Sequence, residues 1–367
     1  MAPSSLSAPV LAIESSCDDT ACAILSPQGE ILAERVHTQA DHAALGGVVP
    51  EIAARAHLSV LPGLVRETLE ESGLDIAGIG AFAASTGPGL IGGLIVGSTF
   101  AKGLAIARKR PFIAVNHIEA HALSPRLPGH GGDGIKFPYL LLLMSGGHCQ
   151  CVAVRGVGDH EKLGGTIDDA AGEAFDKVAK LLGLGWPGGP ALERLAREGD
   201  AQAVSLPRPL LGRPGCDFSF SGLKTAVARQ IAPWGAEALP RKVAADLAAS
   251  FQRCIADVVA DRARHALEQL PAARALVVAG GVAANGNVRE TLEAVARDHA
   301  VPFFAPPLRL CTDNAVMVGW AALETIRAYD AAGIPLEDGI EIAPRPRWPL
   351  AETGERLRAT RGAGATD

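Results

Sequence analysis

The sequence predicts a duplicated α/β protein, two lobes that each run strand, turn, strand, strand, helix, strand, turn, helix. Three observations carry this. The chain has 367 residues, 48% hydrophobic and 20% charged, an ordinary globular composition too long for one core. The same order of apolar runs appears in both halves, without sequence repetition. Glycine is abundant at 42 residues, and Gly-rich turns follow apolar runs in both halves, where backbone amides can approach a ligand lying in a cleft between the lobes.

In the first half, the apolar run Val10 to Ile13 ends in the polar turn Glu14 to Thr20. The runs Ala21 to Leu25 and Ile31 to Val36 then form a hairpin around Ser26-Pro27-Gln28-Gly29. A helix opens at Pro50, and Pro62 is expected to break or kink it. Strand Ile79 to Ala84, the turn Ser85-Thr86-Gly87-Pro88-Gly89, a Gly-rich helix and strand Phe112 to Val115 follow. The apolar stretch Leu90 to Ala107 contains Ser98, Thr99 and Lys102. A lysine at mid-bilayer costs roughly 2.5 to 3.5 kcal/mol, so a helix packed on a sheet is expected and no membrane is implied.

The second half runs through strand Tyr139 to Met144, the turn Ser145-Gly146-Gly147, strand Cys149 to Val154 and a third strand near Glu161 to Leu163. Within Val243 to Leu270, the residues Val243, Leu247, Phe251, Ile255 and Val258 or Val259 share one stripe of a long core-facing helix. Strand Ala275 to Ala279 then enters Gly280-Gly281-Val282-Ala283-Ala284-Asn285. The expected organisation is a disordered leader 1–9, a lobe 10–127, a linker 128–136 and a second lobe 137–327. A segment 328–350 returns toward the first lobe, and 351–367 is a disordered tail.

Net charge is -6, which argues against a protein that binds nucleic acid through its overall field; such contact must be local or shared. The short clusters Arg108-Lys109-Arg110 and Arg345 with Arg347 read first as solvated surface. Seven scattered cysteines, with no C-x-x-C pair and no signal-like start, fit a reducing cytoplasmic setting.

His117 and His121 lie four apart in Asn116-His117-Ile118-Glu119-Ala120-His121, on one face of a helix, so both can grip one metal ion. Glu119 points roughly 200° away from His117 on that helix, the wrong face for the general base of a zinc peptidase. Spacing alone fits two unrelated histidines equally well. The turns at Ser145-Gly146-Gly147 and Gly280-Gly281, the latter leading through Asn285 into a helix, are candidate phosphate cradles or plain tight connections. Asp169, Glu173 and Asp176 share one helical face, where like charges repel unless they bind something such as a ribose diol or stay solvated. At the last long helix Thr312 is a candidate cap and Asp313 sits in the first turn.

Taken together, these segments resemble the universal tRNA threonylcarbamoyladenosine transferases of bacterial type, once called O-sialoglycoprotein endopeptidases. The resembling segments begin at Glu14 to Thr20, Gly46 to Glu51, Thr86 to Leu90, His117 to His121 and Ser145 to His148. They continue through Asp168 to Lys177, Pro187 to Pro190, Asp217 to Lys224, Gly280 to Asn285, Cys311 to Asn314 and Pro344 to Pro349. Leu45, where an aromatic is expected, and Met144, where valine is common, are minor departures.

The resemblance implies the duplicated actin-like ATPase (RNase H-like) fold, two lobes around a nucleotide and metal cleft. It implies metal ligands at His117, His121 and Asp313, with Fe(2+) favoured and Zn(2+) compatible as one divalent ion per subunit. It places substrate contacts at Leu143, Met144, Ser145, Gly146, Gly147, Asp176, Gly189, Glu193 and Asn285. The implied reaction carries threonylcarbamoyl from threonylcarbamoyl-AMP to N6 of tRNA adenosine 37, in tRNAs that read codons beginning with adenine, and releases AMP. Implied partners are tRNA, an inactive paralogue subunit and a small ATPase subunit. No general base is assigned. The alternatives are a glycoprotein metallopeptidase and a sugar-kinase-like ATPase.

Overall fold

A computed structural model describes residues 7–39, 48–130, 135–185, 187–235, 239–336 and 338–363. The expected leader through residue 6, Leu45 with the start of the Gly46 segment, and residues 131–134 of the expected linker lie outside these. The chain forms two compact units, Met1–Asp133 with Gly156–His160 and Asp313–Asp367, and Gly134–Arg155 with Glu161–Thr312.

The first unit holds a five-stranded sheet of order β3-β2-β1-β4-β5, formed by β1 (Val10–Glu14), β2 (Asp19–Leu25), β3 (Ile31–Thr38), β4 (Ala81–Gly87) and β5 (Phe112–Asn116). β1 pairs antiparallel with β2 and parallel with β4, and β4 runs parallel to β5. β1 and β4 are buried along their whole length, as strands covered on both faces must be. Helices α1 (Pro50–Ser72) and α2 (Ile91–Arg108) pack on this sheet. The glycines of α2 have a packing reason: a Cβ on Gly93 or Gly97 would overlap Ser15, so their absence lets the helix lie directly on the end of β1.

The second unit repeats the topology. Its sheet, β10-β9-β6-β7-β8, comprises β6 (Tyr139–Met144), β7 (Cys149–Gly156), β8 (Asp159–Gly165), β9 (Leu276–Ala279) and β10 (Phe303–Phe304). Read from β8, the third, second, first, fourth and fifth strands stand side by side, as in the first unit. The pairings match too: β6 is antiparallel to β7 and parallel to β9, which is parallel to β10. The stripe expected within Val243 to Leu270 lies on a 29-residue helix, Arg241–Gln269, where Leu247, Phe251, Ile255, Val258 and Val259 are buried and Val243 is half-buried at the edge.

The structure departs from the sequence reading in four places. α1 runs unbroken through Pro62; Leu58, whose carbonyl loses its helical partner, is on the solvent side, where water can replace the bond. The units are not consecutive halves: the helix Ala315–Ala331 belongs to the first unit and packs on β1 and β2. A Cβ on Gly319 would come within 2.7 Å of Leu25, which shows how closely that helix sits. The expected disordered tail is ordered through residue 363, with a short helix Glu355–Ala363 that buries Leu357 while Arg358 bonds the carbonyls of Gly158, Ala351 and Thr353. Thr312 does not cap the last long helix; Asn314 does, its Oδ1 accepting from Met317 N at 2.9 Å.

Candidate active site

β5 ends at Asn116, whose side chain turns the chain into the helix α3 (His117–Leu123) by accepting from Ile118 N at 2.9 Å and Glu119 N at 3.2 Å. That cap fixes His117 as the first helical residue and puts His121 one turn on. Asp313 immediately precedes the cap of Ala315–Ala331, and its carboxylate reaches the histidines. Asp313 Oδ1 lies 3.0 Å from His121 Nε2 and 3.5 Å from His117 Nε2. The ligand atoms of His117, His121 and Asp313 all fall within 4.8 Å of one another, inside the first unit.

Two imidazoles and one carboxylate are a donor set suited to a divalent transition ion with positions left for substrate or water. The surroundings fit that use. His117 Nδ1 lies 3.1 Å from Glu14 Oε2 and 3.1 Å from Ser16 Oγ. Once a bound ion displaces the second proton, a proton held on Nδ1 by Glu14 would leave the Nε2 lone pair on the side of Asp313 and His121, the arrangement that orients a metal-binding histidine. Glu14 is in turn held by Ser85 Oγ, which donates to its Oε2, and by Ser16 N, which donates to Oε1 at 2.7 Å. Burial by itself pushes Glu14 up, but the charge and hydrogen bond of His117 outweigh it and hold the carboxyl below its usual range. For His117, burial works toward the neutral ring, yet Glu14 and Asp313 together raise its pKa to about 9. His121 Nδ1 is buried with no hydrogen-bond partner among the described residues.

Glu119 is not part of this group. Its Oε1 accepts from Gly158 N at 2.8 Å, which ties α3 to the segment Gly156–His160 of the same unit. The wrong-face reading of Glu119 therefore agrees with where its carboxylate is engaged.

The second unit has its own cavity of about 340 Å³. It is lined by α4 (Ala171–Leu181), α5 (Gly188–Ala196), the short turn Gly281–Ala284 and Asn285 at the head of the helix Gly286–Asp298. Five of the nine sequence-derived substrate residues meet there: Gly146, Asp176, Gly189, Glu193 and Asn285. Leu143 and Met144 are buried in β6 beneath it, Ser145 closes the turn by pairing with His148 N and O, and exposed Gly147 is not among the lining residues.

Asp176 Oδ1 accepts from Gly188 N at 2.9 Å; burial raises its pKa, against the lowering effect of the Gly188 and Gly189 amides. Asp169 and Glu173, expected on the same face, are instead joined by Lys177 at 2.7 and 2.9 Å and do not line the cavity. Sequence reasoning missed Glu14, Ser16 and Ser85 around His117, and Phe175, Val282 and Cys311 in the cavity wall. All but Ser85 lie in the segments that carry the family resemblance, and Glu14 is also a carboxylate at the end of an otherwise apolar strand.

The matching strand orders of the two units define a duplicated actin-like α/β protein, and solved structures agree. The chain superposes on full-length HypF in its phosphate- and nucleotide-bound form with a TM-score of 0.56, 12% identity, 90% of this chain and 48% of that one covered. For T. kodakarensis HypF the TM-score is 0.54 with 15% identity, covering 88% and 48%. At these identities the likeness concerns the fold alone.

Sequence comparison is more specific. The model of the family described as tRNA N6-adenosine threonylcarbamoyltransferase matches residues 30–320. Proteins of that description from Gluconobacter oxydans and Granulibacter bethesdensis are 67% and 59% identical, over 95% and 93% of both chains. The chain belongs to the tRNA N6-adenosine threonylcarbamoyltransferase family. It is accordingly a transferase that forms threonylcarbamoyladenosine in tRNA.

Proposed function

We propose that this transferase uses threonylcarbamoyl-AMP as donor and N6 of tRNA adenosine 37, next to the anticodon, as acceptor. The observation that carries the reading is the trio His117, His121 and Asp313, prepared by Glu14, in a chain that also holds a separate cavity with carboxylates and glycine turns. N6 forms a bond to the carbamoyl carbon, the bond from that carbon to the AMP phosphate oxygen breaks, and N6 loses a proton. A bound divalent ion, Fe(2+) by the two-histidine, one-carboxylate set or else Zn(2+), would supply Lewis-acid polarisation and a template for oxygen ligands. His117 and His121 would hold it through nitrogen and Asp313 through oxygen.

The AMP portion is assigned to the cavity of the second unit. Phe175, Val282 and Cys311 give that cavity apolar walls for a base, while Asp176 and Glu193 offer acceptors for ribose hydroxyls. The glycines at 146 and 189 let backbone approach the phosphate. Glu119 is engaged with Gly158, which leaves the peptidase reading without its base.

The proposed setting is cytoplasmic, with an inactive paralogue and a small ATPase as partner subunits. Ile91, Ile95 and Ile106 on α2 are 45%, 48% and 64% exposed, and Leu58 on α1 is 66% exposed; this apolar face supports docking of the paralogue.

Elemental analysis of purified His117→Ala and Asp313→Ala variants, paired with a transfer assay, tests the assignment. Both variants should lose bound metal and transfer together. Retention of full transfer in a metal-free variant would end this reading.

A further inference from the structure

We infer that Gln252 is a positioning residue for the nucleotide cavity and acts through Asn285. The inference rests on the assignment of the second unit's cavity to the AMP portion of the donor. Gln252 lies on the long helix Arg241–Gln269 and is not among the residues that line the cavity. Its side-chain Oε1 accepts from Asn285 Nδ2 at 2.8 Å. The other end of the Asn285 amide is fixed as well, because Oδ1 accepts from Val288 N at 3.1 Å as the cap of the following helix.

These two bonds determine which way the amide points. Turned over, Asn285 would set its NH2 against the Val288 N–H and its oxygen against Gln252 Oε1, one donor–donor and one acceptor–acceptor contact. The Val288 N–H, which can only donate, sets the orientation, and Gln252 holds it by taking one Nδ2 hydrogen, which leaves the second for a ligand. Asn285 is 7% exposed and lines the cavity, so that hydrogen is a directional donor in a largely dry wall. The support under Gln252 is rigid: its neighbour Phe251 is buried and meets Phe175, another cavity residue, edge-on at 5.3 Å between ring centroids.

The helix that Asn285 caps offers fewer amides to an anion than a bare N-terminus. Gly286 N donates to Glu193 Oε1 at 3.1 Å and Val288 N to Asn285. The first and third amides of that helix are thus met within the chain. The side-chain orientation of Asn285 matters correspondingly more.

The test is AMP binding by calorimetry on the full chain, together with KM and kcat for threonylcarbamoyl-AMP. Gln252→Met keeps length but removes the acceptor; Gln252→Glu keeps an acceptor. Loss of one hydrogen bond that orients a buried amide should weaken AMP binding and raise the donor KM about five- to tenfold, with kcat changed less. Gln252→Glu should recover most of that loss. In an Asn285→Ala background, Gln252→Met should add nothing, since its effect passes through Asn285.

AMP binding by Gln252→Met equal to wild type, or an equal loss in both backgrounds, would overturn the inference. If Asn285→Ala itself leaves AMP binding intact, the cavity assignment fails and the inference with it. If Asn285→Ala weakens binding while Gln252→Met does not, only the inference fails. Gln252→Ala, which also lacks the acceptor, gives the same reading should the methionine variant not accumulate as folded protein.

Discussion

Glu14 shows what a single residue contributes and why sequence did not disclose it. The pair His117 and His121 was legible from spacing on a helix, but Glu14 is 103 positions from His117 and meets it only once β1 and β5 lie in one sheet. Removing its charge leaves His117 without the acceptor that fixes its tautomer. Glu14→Gln should therefore weaken metal retention about 10- to 100-fold, read by competition with a chromogenic chelator. Unchanged affinity would show that Glu14 is only a buried structural carboxylate.

A second residue gives a pH signature. Burial, opposed by a hydrogen bond from Thr38 and reinforced by Asp18, Asp313 and Glu14, raises Asp19 to about 6. Its folded pKa lies above the unfolded value, so its contribution to stability is present below the unfolded pKa and is lost as pH rises through about 6. In chelator-treated protein, urea unfolding should show a decline between pH 4 and 6 of about 1 to 3 kcal/mol that Asp19→Asn flattens. The same decline in the variant would assign it elsewhere.

At the scale of elements, the strands and the long helix were readable because an apolar run or stripe is a local property of sequence. The route of the chain between units was not. Ala315–Ala331 follows the second unit in sequence but returns to β1 and β2, and only tertiary packing, with Gly319 against Ala12 and Leu25, reveals it. The turn Gly280 to Asn285 was legible as a turn, but the pairing of its helix amides with Glu193 and Asn285 was not, because those partners come from side-chain geometry.

Gly280 itself has φ +91°, and a Cβ there would overlap the Met144 carbonyl. Gly280→Ala should destabilise the protein by about 2 kcal/mol or more and weaken AMP binding. Gly281→Ala, with nothing within 4 Å of its added Cβ, is the control and should change stability little. Equal behaviour of the two variants in urea would refute the packing argument.

For the whole molecule, net charge decides how tRNA is held. A chain of charge -6 has no broad basic field, so the isolated protein should bind tRNA weakly and lose that binding steeply with salt. Gel shifts at physiological salt should tighten when the partner subunits are added. An Ile95→Asp variant, which puts a charge on the exposed face of α2, should remove that gain. Tight, specific tRNA binding by the chain alone would contradict the shared-surface account.

The central claim, that His117, His121 and Asp313 hold the ion on which transfer depends, is tested most directly by following labelled threonylcarbamoyl from its adenylate into tRNA. Native, chelator-stripped and Fe(2+)-reloaded protein are compared in the presence of the partner subunits. The account predicts transfer in the native sample, its loss after stripping and its return on reloading, with AMP release in step. Undiminished transfer by the stripped protein, with elemental analysis confirming that the ion is gone, would contradict it.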